Sequence, residues 1–566
     1  MGLRACRAGQ AVAWFLAVAT VVLPATSAPA AWAVGMVAAG LMMVRIAALA
    51  AHPGGGGGGG QPVVVAIREA RVRPALQWLG KGIEWTPQRA AVAASGAGGL
   101  AAVGDCEGRL ARARAIRVPV PVLASHLLVF GQTGSGKTRL AALLAASFIA
   151  RHPDGALILF DPKGDADLRA VLRAACADSG RAQAFIELDL RRPGDSVRFD
   201  PMRNHVRTTS LASRLSALMP EAHGGSPFAA FAWRQLLVLA DALVYTGERP
   251  TIASLRAAVE GDGRALLARA LTIWSGLNDG CAAPAGVRTA DERAIARYRA
   301  TVDQHPASAE PVIDALIERV SHDRTHRAKM IQSLLPRLAA LTAGELRALL
   351  SPDAGSADTR PVFDSRKVIE QARVLYLGLD VLSDPAAGAA LGSLVLADLA
   401  QVAGARTRTG GSPVMIMVDE AAELAGEPLL QLLNKSRGAG FLLALMAQTV
   451  HDFEARLGSA PMAAALLGNP GNVIALRTAD PGTQHFFADA LPPIERDERA
   501  QSRSIAIRGD ARHPGSATTA SWQARRAPAP WVAPGALSQL PDLHYFARMS
   551  DGRVWRGALP RLVAAR

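Results

Sequence analysis

Hydrophobic positions fall into distinct regimes along the chain. No charged residue occurs from Ala11 to Val44, a run too long for a core strand and interrupted near its middle by Pro24 and Pro29. Two apolar arms joined by a tight turn at Thr26 and Ser27 fit this pattern, because one membrane crossing needs about 20 apolar residues. Arg4 and Arg7 precede the run, while Arg45, Arg68, Arg71 and Arg73 follow it. Both ends are therefore expected on the cytoplasmic side of a transmembrane hairpin spanning residues 1–51. A signal peptide ending at the small residues Ala28–Ala30 is the competing reading, and in that case Ala30–Ala51 still crosses back. Gly54–Gly60 gives a flexible linker, residues 52–61, with a reach of about 15 Å.

Past the linker, short apolar runs alternate with stretches of helical period, the pattern of a parallel α/β sheet. The runs His126–Phe130, Ala156–Phe160, Val414–Val418 and Phe441–Met446 read as buried strands. Between Thr208 and Gly344 the alternation lapses into helical pattern alone. These shifts divide the chain into a pre-core segment (62–118), the first half of a nucleotide-binding domain (119–207), a helical insertion (208–344), the second half of the nucleotide-binding domain (345–497) and a tail (498–566). The tail ends in a hairpin, Tyr545–Arg548 and Arg553–Arg556, around an Asp551-Gly552 turn.

Composition changes this picture little. Half of the 566 residues are hydrophobic and the net charge is +14, which suits a polyanionic partner or an anionic membrane surface. A bias toward Arg and Ala accounts for the same numbers, so charge alone decides nothing. Cys6, Cys106, Cys176 and Cys281 form no CxxC pair, which excludes a disulfide framework and a zinc ribbon and fits a reducing compartment.

The chemistry begins at the end of the first strand. Gly131, Gln132, Thr133, Gly134, Ser135, Gly136, Lys137 and Thr138 spell GxxxxGK[ST] between a strand and a helix, with Arg139 next in line. Such a loop turns backbone N–H groups toward phosphates at a helix N-terminus. Lys137 is expected on the β- and γ-phosphates of ATP, and Thr138 on Mg²⁺. The strand Val414–Val418 ends in Asp419 and Glu420; the first carboxylate suits the Mg²⁺ shell, the second the attacking water as general base. Ala156–Phe160 runs into Asp161-Pro-Lys163-Gly-Asp165, which puts Lys163 and Asp165 near the same strand ends or in an ordinary charged turn. Gln448 follows Phe441–Met446, where a polar side chain senses the γ-phosphate or merely caps. Arg437 lies in a glycine-rich turn before that strand and is the best candidate for an arginine finger, although its position alone leaves a surface loop equally open. Asn434-Lys435 suggests a guanine-reading motif, but Arg437 stands where that motif needs an acid. His322 and His326 sit four apart without a third ligand, so a zinc site is not expected.

Taken in order, these segments resemble the type IV coupling proteins, specifically the TraD-like conjugative coupling factors of integrating elements. The resemblance runs from Leu79-Gly-Lys-Gly-Ile-Glu-Trp85 through Asp161–Asp165, Phe199-Asp-Pro-Met202, Phe228–Trp233, His322–Met330, Leu349–Asp353, Tyr376–Asp380, Leu432–Phe441 and Ala447-Gln-Thr449 to Leu467-Gly-Asn469. Asp200 departs from it, standing where Asn is frequent. The resemblance implies a RecA-like P-loop ATPase core with an all-helical insertion, assembled as a homo-hexamer on the bacterial inner membrane with the ATPase in the cytoplasm. It implies Arg437 as a finger acting in trans, Gln448 as nucleotide sensor and Lys163 as a site residue. Its implied partners are DNA (a single transfer strand, also duplex), a relaxase and type IV secretion proteins.

Three functions follow as expectations. The first is an ATP-driven DNA translocase serving a secretion channel. The second is a cargo receptor that uses ATP mainly for assembly. The third is an FtsK-type duplex pump, for which more membrane spans and a C-terminal winged helix would be expected.

Overall fold

A computed structural model describes residues 74–95, 114–219, 227–278, 289–321, 332–353, 355–407, 410–508 and 515–560. The expected hairpin, the glycine linker and the His322/His326 pair lie outside these residues.

The core is a single sheet of eleven strands. These are β1 (Leu76–Glu84), β2 (Arg114–Pro119), β3 (Leu127–Phe130), β4 (Ala156–Asp161), β5 (Phe185–Asp189), β8 (Val374–Gly378), β9 (Val414–Val418), β10 (Phe441–Ala447), β11 (Asn472–Leu476), β14 (His544–Arg548) and β15 (Val554–Ala558). Across the sheet they run in the order β2-β1-β15-β14-β11-β3-β10-β9-β4-β8-β5. From β11 to β5 every pairing is parallel. β3, β4, β8, β9 and β11 are buried along their whole length, which is why they read as unbroken apolar runs rather than as alternation. The helix Lys137–Arg151 covers one face with Leu140, Leu143, Leu144 and Phe148, and Pro385–Arg406 covers the other with Leu391, Leu394, Val395 and Leu399.

The segments set apart in sequence as pre-core and tail are strands of this same sheet. β1 pairs with β15, and β14 pairs with β11 and β15, all antiparallel. Two tryptophans tie the ends together: Trp85 Nε1 donates to the Trp531 carbonyl at 3.1 Å and Trp531 Nε1 to the Trp85 carbonyl at 2.9 Å. The glycines of the Leu79–Trp85 motif have a steric cause. A Cβ on Gly80, whose φ is +106°, would fall 2.1 Å from the Ala558 carbonyl oxygen, and one on Gly82 would fall 2.2 Å from that of Arg556. Gly80→Ala is expected to destabilise the fold by about 1–3 kcal/mol, read as a lower melting temperature; an unchanged melt would contradict this close approach.

Between β6 (Arg198–Phe199) and β7 (Val362–Phe363), which pair in parallel, the described residues form helices only. The helical run passes the expected limit at Gly344 and continues through Leu346–Leu350. Its first helix, Thr208–Ser216, is locked to the core by a buried ion pair, Arg214 to Asp398 at 3.0 Å. Asp200 is fully buried and meets Arg249 of the insertion at 2.5 Å. The carboxylate that departs from the family pattern thus has a partner of opposite charge. Pro227–Tyr245 and Pro385–Arg406 are, among the described residues, the helices long and apolar enough to cross a membrane. Both contribute side chains to the hydrophobic core.

β12 (Ile494–Arg508) and β13 (Gly515–Ala529) form a separate antiparallel ribbon. It precedes the return of the chain to the sheet.

Candidate nucleotide site

The order β3-β10-β9 brings three strand ends side by side: that of the phosphate loop, that of Gln448 and that of the paired acids. In a parallel sheet these C-terminal ends share one edge, where ligands bind. A cleft of about 650 Å³ opens there. Gln132, Thr133, Gly134, Gly136, Lys137, Thr138 and Arg139 form one side, with Lys163, Asp165, Asp419 and Glu420 opposite.

The loop is fixed from behind. Gly131 N–H donates to the Ala447 carbonyl at 3.2 Å and Gln132 N–H to that of Arg477 at 2.9 Å, so β10 and β11 hold it on both flanks. Ser135 Oγ donates to the Gln132 carbonyl at 2.7 Å and does not face the cleft. Gly136 enters the helix at φ +116°, a conformation that only glycine adopts without strain. Lys137 is buried, its Nζ donating to the Gly131 carbonyl at 2.6 Å. Burial lowers its pKa, and the charges of Glu420 and Asp419 act in the opposite direction.

Asp161 organises the next loop. Its carboxylate accepts the backbone N–H groups of Lys163 at 3.0 Å, Gly164 at 2.7 Å and Asp165 at 2.5 Å, and the Tyr376 hydroxyl at 2.7 Å. Asp165 caps the following helix by accepting from Asp167 and Leu168 N–H. With both aspartates committed to the backbone, Lys163 is the side chain left to reach across, and its Nζ forms an ion pair with Glu420.

Glu420 occupies the left-handed region at φ +43°, an uncommon conformation for a residue with a side chain and one concentrated at functional sites. Gln448 Nε2 lies 3.2 Å from each of its carboxylate oxygens. The base candidate is thus held by one cation and one amide. Asp419 is buried, and burial followed by the Glu420 and Asp161 charges raises its carboxyl pKa to about 6. Its carboxylate accepts the Glu420 N–H at 3.1 Å, with no cationic side chain in hydrogen-bond contact among the described residues. An acid so placed gains from a hard cation, so Asp419 and Thr138 fit Mg²⁺. No group of three or more His, Cys, Asp or Glu side chains suited to a metal occurs among the described residues.

Arg437 is elsewhere. It precedes β10, whose seven residues separate it from Gln448 by about 20 Å of strand. Its side chain is exposed and makes no ion pair or hydrogen bond among the described residues. The cleft also has a wall that the sequence did not announce: Asp542, Leu543 and Pro560 from the tail. These come to it only because β14 pairs with β11 and β15 with β1, the latter a contact made across hundreds of residues.

Family models match two stretches of the chain: "Helicase HerA, central domain" over residues 107–169 and "TraM recognition site of TraD and TraG" over residues 413–542. The first spans the phosphate loop and Lys163, the second the acids, Arg437 and Gln448. Among solved structures, the unbound bacterial conjugative coupling protein TrwBdeltaN70 aligns at TM-score 0.50 and 17% identity, over 80% of this chain and 89% of that one. The chain has the fold of that conjugative coupling protein and carries a segment matching the TraM recognition site of TraD and TraG. Two further solved structures align less closely. TrwB in complex with ADP and Mg²⁺ has a TM-score of 0.47 at 16% identity, over 79% of this chain and 88% of that one. VirB4 of Thermoanaerobacter pseudethanolicus has a TM-score of 0.40 at 13% identity, over 79% and 94%. No curated protein matches this chain in sequence.

Proposed function

We propose that this protein is a type IV coupling protein, a membrane-anchored, ATP-driven DNA translocase of the TraD-like conjugative type, which delivers a relaxase–DNA complex to a type IV secretion channel. The observation that carries the reading is the convergence of Lys137, Lys163, Asp419, Glu420 and Gln448 on one cleft at the edge of a coupling-protein sheet. A receptor that used nucleotide only for assembly would need the phosphate loop but no oriented base.

In this reading the loop from Gly131 to Thr138 and the adjoining Arg139 bind ATP, with Lys137 and backbone N–H groups on the phosphates. Thr138 and Asp419 hold Mg²⁺, which neutralises phosphate charge when bound. Glu420 takes a proton from the attacking water. Gln448 orients that carboxylate and senses the γ-phosphate, while Lys163 bridges base and phosphate. Arg437 serves the cleft of the next subunit in a homo-hexamer. The insertion faces the DNA-processing complex, and residues 1–51 anchor the ring in the inner membrane.

The test is DNA transfer from donor cells carrying Glu420→Gln in place of the wild-type chain. Transfer is expected to fall by at least about 10²-fold, in line with loss of a general base. Transfer at wild-type frequency would favour the receptor reading instead.

A further inference from the structure

We propose that the tail wall of the cleft is a nucleoside subsite, in which Leu543 and Pro560 pack against the base of the bound nucleotide and Asp542 accepts from the ribose hydroxyls. The inference rests on the nucleotide reading of the phosphate loop and adds the portion of the ligand that the loop does not hold.

Three observations carry it. The wall is attached to the loop itself: Leu543 N–H donates to the Ser135 carbonyl at 3.0 Å, and a Cβ on Gly136 would fall 2.8 Å from Leu543 Cδ2. The wall is also held from outside, since Leu559 N–H donates to the Leu543 carbonyl at 2.8 Å and Asp542 pairs with Arg477 at 2.5 Å. Finally, Leu543 is kept at φ +69°, a strained setting for a branched apolar side chain, and in that setting it lines the cleft.

Chemistry divides the cleft accordingly. Around Lys137, Lys163, Asp419 and Glu420 the lining side chains are charged or polar, which suits phosphates and a cation. At Leu543 and Pro560 the surface is apolar, which suits the face of a base, and Asp542 beside them is an acceptor for hydroxyl donors. Thr138 and Arg139 also line this cleft. A triphosphate alone would use the first half and a nucleotide both.

The experiment compares binding of ATP and of inorganic tripolyphosphate, each with Mg²⁺, to the full-length protein in detergent. Leu543→Gly suits the test because glycine adopts the same φ without strain while the apolar surface is lost. Pro560→Ala serves as the second variant. Both are expected to weaken ATP about tenfold and leave tripolyphosphate binding unchanged. Asp542→Ala is expected to reduce the preference for ATP over 2′-deoxy-ATP. Unchanged ATP affinity in both wall variants would overturn the proposal. So would equal losses for ATP and tripolyphosphate, which would mean that the wall merely braces the loop. Failure of the unaltered protein to bind either ligand would instead overturn the nucleotide reading beneath it.

Discussion

Arg437→Ala is expected to lower ATP turnover by about 10³-fold while leaving ATP binding within about twofold of the original. The reason is geometric. Arg437 is exposed, unpaired among the described residues, and a full strand length away from the cleft of its own chain. A guanidinium there cannot touch its own nucleotide, and in the proposed ring it would serve a neighbour's. Its surroundings hold the turn firmly: Ala439 and Phe441 are buried beside it, and His126 Nδ1 accepts the Leu443 N–H at 3.2 Å. Burial drives the His126 pKa down to about 4, so that ring stays neutral near pH 7 and adds no charge beside Arg437. Mixing gives the decisive readout. Arg437→Ala chains supply intact phosphate loops and Lys137→Ala chains supply intact fingers, so mixed rings should regain turnover that neither variant has alone. Absence of any regain, with mixed assembly demonstrated, would show that Arg437 does not act across the interface.

Glu420→Gln should separate binding from chemistry. Glutamine keeps the shape of the side chain and a carbonyl oxygen for Lys163 and Gln448, but it cannot take a proton. Turnover is expected to fall by about 10²–10⁴-fold with ATP affinity preserved, whereas Lys137→Ala should lose both. Measuring nucleotide affinity and steady-state hydrolysis on the same preparations checks this. Turnover within a few-fold of the original in Glu420→Gln would remove Glu420 as the base and leave its left-handed backbone without a catalytic reason.

The site was legible where chemistry follows local pattern. A phosphate loop announces itself because strand, glycines and lysine are contiguous, and two acids after a buried apolar run do nearly the same. Lys163 was ambiguous from its neighbours alone. Its orientation depends on Asp161 and Asp165 turning back onto the backbone, a detail of hydrogen bonding with no linear signature. The tail wall was not legible at all. The terminal hairpin could be read from its Asp-Gly turn, but its place in the sheet depends on β14 finding β11 and β15 finding β1. For the same reason the Leu79–Trp85 glycines looked like a motif without a function. Their role becomes visible only when the Ala558 and Arg556 carbonyls lie against them. The helical insertion was readable as helices, while its attachment through Arg214–Asp398 and Asp200–Arg249 was not, because ion pairs between distant segments leave no periodicity.

The central claim is that hydrolysis in this cleft drives DNA. It is tested most directly by measuring ATP turnover of the full-length protein with no DNA, with single-stranded DNA and with duplex DNA, across a range of protein concentrations. The account predicts turnover that is stimulated by DNA, rises steeply with protein concentration as rings form, and vanishes in Lys137→Ala and Arg437→Ala. Robust assembly and cargo binding with turnover indifferent to DNA would contradict it and leave a receptor in which nucleotide serves assembly.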